Sequence, residues 1–115
     1  MDFSNFDPVV KFANEKYKNL ACVADVFSFQ IIWADEEHHK KLGYMPGELY
    51  GINIRKFLDV SSKEFMRIAI TKFQGKPNKK TLLTKSGEKI TSTGKIHTFS
   101  YENSPYIAIS DVIFG

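Results

Sequence analysis

The residues best equipped for chemistry stand together as Glu36-Glu37-His38-His39. Two carboxylates beside two imidazoles suggest acid–base work. On a helix, however, four consecutive side chains point in different directions and cannot meet over one substrate. The run therefore reads as solvated charge. The other histidine is His97, and Cys22 is the single cysteine. That set lacks zinc-ligand spacing, and no intrachain disulfide can form. No phosphate-binding glycine loop, nucleophile elbow or His-Glu metal pattern occurs. The chain is expected not to be an enzyme, with no catalytic residue and no metal site.

The bulk numbers agree with a binding module. At 115 residues the chain makes one domain with one modest core. Its aromatic share of 14% exceeds what a minimal core requires and suits a lined pocket or a buried partner surface. The net charge of +3 is spread along the chain, and no nucleic-acid-binding motif accompanies it. The densest basic patch, Lys76 to Lys80, reads as a solvated loop face. The first seven residues lack the basic and apolar runs of a signal peptide. No stretch approaches the ~20 apolar residues of a bilayer span. A cytoplasmic home with no membrane contact is the expectation.

The elements that must position these residues follow from periodicity. Asp7-Pro8 can start a helix, on which Val9, Phe12, Ala13, Tyr17 and Leu20 form one apolar stripe. Ala21–Ala24 opens the first strand. Phe27, Phe29, Ile31 and Trp33 alternate with polar or less buried positions, which predicts a second strand with one buried face. The turn between the two strands has no glycine. Asp35 can cap a helix from Glu36 to Leu42, which Gly43 ends. Pro46 opens a short helix closed by Gly51, and a longer helix is expected over 59–74, with Ser61 and Glu64 at capping-box spacing. Strands over 79–85, 89–101 and 106–114 are joined by Ser86-Gly87 and by 102–105. The sum is an α+β domain with one antiparallel sheet and helices over one face.

This order resembles that of PAS domains, the small sensory modules of signalling proteins, from about Ala21 to Asp111. Ala34-Asp35 stands where the family has Ala-Asn. Gly43-Tyr44 matches its Gly-Tyr step, and Glu48-Leu49 with Gly51 matches its Glu-Leu before a glycine. Lys85-Ser-Gly-Glu88 matches its charged turn, and Asp111-Val112 its closing Asp-aliphatic pair. The chain departs from the pattern at Glu37, His38 and Ile113, which replace a small residue, an apolar residue and a threonine. The family's outgoing helix has no counterpart before Gly115, so the chain is either a fragment of a longer protein or a domain that works alone.

The resemblance implies a five-stranded sheet in the order 2-1-5-4-3, with residues 1–20 a helical cap and 21–115 the sensory domain. It also implies an interior cavity between sheet and helices. The matching positions are Phe27, Phe29, Trp33, Leu42, Tyr44 and Leu49, followed by Phe57, Phe65, Leu82 and Ile96. Trp33, Tyr44 and Thr93 are the polar groups expected to orient a guest, and His38 borders the cavity. No cofactor is assigned. Ile54 stands where the flavin-binding branch has its adduct-forming cysteine, and the segment 59–74 lacks a haem-ligating histidine. Two functions remain open. One is a sensory module that binds a small organic ligand and passes its state to an effector domain, such as a histidine kinase or cyclase, outside this chain. The other is a ligand-free interaction or dimerisation module. The apolar stripe of the first helix must cover the sheet's outer face or the same helix of a second chain, and a homodimer is expected.

Overall fold

The computed structural model describes residues 8–45, 47–56 and 77–114. The expected helix over 59–74, together with Pro46, Phe57 and Phe65, lies outside the described residues. Among the described residues two α-helices, α1 (Pro8–Lys16) and α2 (Glu36–Leu42), accompany five strands: β1 (Leu20–Asp25), β2 (Ile31–Ala34), β3 (Pro77–Leu83), β4 (Lys89–Tyr101) and β5 (Ser104–Phe114). The strands form one antiparallel sheet in the order β2-β1-β5-β4-β3, as the motif order implied.

Each sheet face has its own core. On the inner face Leu42 of α2 packs with Cys22, Ala24, Ile31, Ala34, Leu49, Ile54, Leu82, Ile96 and Ile107. On the outer face Val9, Val10 and Ala13 of α1 pack with Leu20, Val23, Trp33, Phe99 and Ala108. The stripe of α1 is thus spent on its own sheet. Leu20, expected on that helix, opens β1 instead.

Asp35 caps α2 as anticipated, its Oδ1 accepting the His38 N–H at 2.8 Å. Gly43 closes the helix at φ 83°, a left-handed conformation that costs glycine little. Residues 47–51 form turns closed by i→i+3 bonds, where a short helix was expected: the Tyr50 N–H reaches the Gly47 carbonyl at 3.2 Å. A short 3₁₀ turn follows at Ile54–Lys56.

Aspartate does the work of the missing glycine in the β1–β2 turn. The Asp25 Oδ1 accepts the N–H groups of Phe27 at 2.7 Å and Ser28 at 3.0 Å. Phe29 takes the left-handed conformation at φ 58°. Beyond it, segment 51–54 shields the outer edge of β2, with the Ile31 N–H on the Ile52 carbonyl at 2.9 Å and the Gly51 N–H on the Ile31 carbonyl at 2.7 Å.

Candidate functional site

The expected strand alternation fails in β2, and the failure relocates a site residue. Ala24 faces Ile31 and Val23 faces Trp33, so β2 advances two residues for one in β1. This bulge puts Ile32 and Trp33 on the same side of the sheet. Ile31 and Ala34 belong to the inner core, whereas Trp33 belongs to the outer one. Trp33 therefore lies under α1 and does not line a cavity between sheet and α2. Thr93 is also on the outer side, because its strand neighbours Ser92 and Gly94 line the inner pocket. Phe27, at the tip of the aspartate turn, is 79% exposed and points away from the core.

The other expected residues gather on the inner side. Leu42, Leu49, Leu82 and Ile96 are buried there, and Phe29 and Tyr44 pack against them half-buried. Of the residues named from sequence, His38 and Leu82 reach the wall of a small enclosed pocket of about 20 Å³. Its remaining described wall is Cys22, Ile54, Lys80, Ser92, Gly94, Ile109 and Val112. The pocket has room for about one water.

The polar part of that wall comes from strand register. Lys80 on β3 lies opposite Ser92 on β4, and both occupy inner positions of their strands. Reading 76–80 as one solvated face was therefore wrong for Lys80. Lys79 is exposed, but the pleat sends Lys80 inward beside Leu82. Lys80 keeps some exposure, yet burial lowers its ammonium to a pKa of about 8. Burial first, then the charge of Asp35, pushes the Cys22 thiol up to about 12 despite Lys80. The thiol is thus an inert neutral group at physiological pH.

His38 and Val112 are shared with a second, open groove of about 480 Å³. Asp35, Glu37 and Asp111 put carboxylates on this groove, and Val112, Ile113 and Phe114 supply its apolar side. The imidazole of His38 is 3.2 Å from Asp35 through Nδ1 and meets the Phe114 ring edge-on at 5.2 Å. Its neighbour His39 points elsewhere: Nδ1 donates to the Asp35 carbonyl at 2.9 Å, and Nε2 accepts the Gly47 N–H at 3.0 Å. That pair of backbone partners fixes the neutral Nδ1–H tautomer. Adjacent on α2, His38 and His39 therefore have separate tasks. Among the described residues no group of three His, Cys, Asp or Glu is placed to hold a metal ion.

At the groove's far side β5 bulges. Thr93 faces Ile113 and Lys95 faces Ser110, so β5 advances three residues for two. Asp111, at φ 51°, receives the Asn19 amide on its carboxylate at 2.7 Å and gives its own N–H to the Asn19 carbonyl at 3.0 Å. These bonds, first that from Asn19 and then that from Lys95, hold the Asp111 carboxyl below its ordinary range. Sequence reasoning missed Cys22, Ile54, Lys80, Ser92, Gly94, Ile109 and Val112 as pocket residues. The signal for Lys80, Ser92 and Gly94 was the inward alternation of Ser92, Gly94 and Ile96, projected one strand over onto Lys80 and Leu82.

Among the described residues no helix is long and apolar enough to cross a membrane. No protein-family model matches the sequence, and no curated protein matches it either. Solved structures do. A PAS domain from Desulfitobacterium hafniense is similar at 18% identity and TM-score 0.69, covering 88% of this chain and 96% of that one. The PAS domain of an HTR-like protein from Haloarcula marismortui aligns at 17% identity and TM-score 0.63, covering 91% of this chain and 89% of that one. A PAS domain from a two-component sensor histidine kinase aligns at 12% identity and TM-score 0.66, over 93% of this chain and 96% of that one. With the strand order and the two-faced core described above, these likenesses place the chain in the PAS fold.

Proposed function

We propose that this chain is a non-catalytic, signal-sensing module that binds a small organic ligand on the inner side of its sheet. The observation carrying the reading is the pocket wall itself. A core face otherwise made of aliphatic side chains accepts a lysine, a serine and a histidine around one enclosed space. A few polar groups on an otherwise apolar wall are what orients a guest in a small-molecule site. The effector is placed outside this chain, and the relay runs through the sheet to α1. A homodimer formed through that helix requires α1 to exchange its own sheet for that of a second copy, since Val9, Val10 and Ala13 are already buried.

The test is native mass spectrometry of freshly purified protein, before and after incubation with a cellular metabolite extract. A retained mass released on unfolding is the expected result. A bare protein in both cases would leave the second reading, a ligand-free interaction module, which the small volume of the pocket favours. Sedimentation at high concentration checks assembly, with a ligand-dependent shift toward dimer expected.

A further inference from the structure

The open groove is a second space, apart from the inner pocket, and its charge is of one sign. It runs between the start of α2 and the end of β5, and its volume of about 480 Å³ falls within the roughly 300–1,000 Å³ of small-molecule sites. Its described lining holds the carboxylates of Asp35, Glu37 and Asp111 and no lysine or arginine. Asp111 is already occupied, by the Asn19 amide at 2.7 Å and the Lys95 ammonium at 3.3 Å. Asp35 and Glu37 pair with no lysine or arginine among the described residues.

Acidity alone names no guest, but His38 does. Its side chain is only 8% exposed. Nδ1 faces the Asp35 carboxylate, which can only accept, so the neutral ring carries its hydrogen there and Nε2 is an acceptor. Nε2 has no hydrogen-bond partner among the described residues, yet it is not sealed off. It therefore looks into the space the ring borders, where groove and pocket meet. What this junction lacks is a donor, and the carboxylates beside it favour a positive one. A bare metal ion does not fit, since among the described residues no three such ligands converge. Along the groove Val112, Ile113 and Phe114 form an apolar wall, on which Ile113 is 70% exposed.

We propose that the groove binds a primary organic ammonium ion with a short apolar body, its N–H donating to the Nε2 of His38 and its charge facing Asp35 and Glu37, while the body lies along Val112, Ile113 and Phe114. A quaternary ammonium brings the charge without a donor, and an alcohol brings a donor without the charge. This site goes beyond the ligand reading of the inner pocket and stands or falls apart from it.

The experiment titrates the whole chain with butylammonium, butyltrimethylammonium and magnesium chlorides and with butanol, at matched ionic strength. It reads the backbone NMR signals of Asn19, Glu37 and Ile113 for the groove, those of Gly94 and Ile109 for the inner pocket, and the imidazole nitrogen signals of His38. Butylammonium is expected to shift the groove signals and the His38 Nε2 signal saturably, with Gly94 and Ile109 unmoved. Butyltrimethylammonium should bind about tenfold more weakly, having lost the hydrogen bond to Nε2. Asp35→Asn should weaken butylammonium about tenfold with α2 intact, because the amide oxygen still caps the helix. Glu37→Gln, at an exposed carboxylate, should weaken it about threefold. Unchanged affinity in both variants would overturn the proposal. So would equal binding of butanol, which needs no charge, or of butyltrimethylammonium, which needs no acceptor. Equal shifts with magnesium would replace the amine site with a metal site. Shifts confined to Gly94 and Ile109 would seat the amine in the inner pocket and leave the groove without a guest. No saturable shift of the groove signals would overturn the proposal, whatever the inner pocket retains.

Discussion

The two faces of the sheet are built from different materials. The outer face is closed by α1 with rings: Phe12 lies 5.7 Å from Phe99 and 5.3 Å from Tyr101, and Tyr17 stacks on His97 at 4.1 Å. The inner face is aliphatic, but around Cys22, Ser92 and Gly94 its side chains are too small to fill the space. Rings interdigitate and exclude everything else. Small residues beside a lysine leave a polar pocket. The difference teaches that, among the described residues, stacked rings close the outer face under α1, while the inner pocket is made by what is missing.

The largest effect should come from opening the outer face. Trp33 is 4% exposed within that cluster. Trp33→Ala should cost about 3–5 kcal/mol of stability in urea denaturation, as deletion of a buried ring does. It should release α1 while the inner pocket keeps its NMR signals. A cost below about 1 kcal/mol would mean that α1 does not depend on this cluster.

That Trp33 was expected in a cavity shows what the sequence could and could not display. Alternation is visible wherever a strand keeps its pleat. Ile90, Ser92, Gly94 and Ile96 all read correctly as one face, and α2 read correctly because Asp35 and Gly43 mark its ends. A bulge leaves no such mark. The extra residue at Ile32 carries no glycine or proline, and it reverses the side on which Trp33 lies. The turn at 25–30 was opaque for a similar reason: its left-handed residue is Phe29, a type that seldom takes that conformation. Lys80 was hidden by its own charge, since a lysine in a basic run suggests solvent until the strand is registered against β4.

A middle-sized effect should come from filling the inner face. A Cβ added to Gly94 meets the Val112 Cγ2 at 3.0 Å, the Ile109 Cγ2 at 3.4 Å and the Ser110 carbonyl oxygen at 3.5 Å. Gly94→Ala should therefore cost about 1–3 kcal/mol through overpacking and close the pocket. Loss of a retained ligand with the fold intact by circular dichroism is the expected outcome. Full ligand retention would place the guest elsewhere.

The third effect is one of pH. Lys80 titrates at about 8 in the folded chain against an ordinary 10.5. Between those values the unfolded chain binds more protons, so stability should rise as pH climbs through 8. Cys22 acts oppositely: its folded value of about 12 exceeds an ordinary 9, so above 9 the unfolded chain loses protons first and stability falls. A maximum near the crossover is expected in urea midpoints measured across this range. Lys80→Met should erase the rise and Cys22→Ala the fall. A wild-type profile that is flat in the alkaline range would mean that neither group is enclosed in solution.

The smallest effect distinguishes Phe27 from every other aromatic discussed. Its ring is 79% exposed, and its place in the turn depends on its backbone N–H, which the Asp25 carboxylate accepts at 2.7 Å. Any side chain that leaves that N–H in place preserves the turn. Phe27→Ser should change stability by no more than about 0.5 kcal/mol. Asp25→Ala, which removes the acceptor for two N–H groups, should cost about 1–2 kcal/mol. Urea denaturation of the two variants side by side checks the pair. A loss of about 3 kcal/mol or more in Phe27→Ser would return that ring to an interior, since only a buried phenyl costs so much to remove.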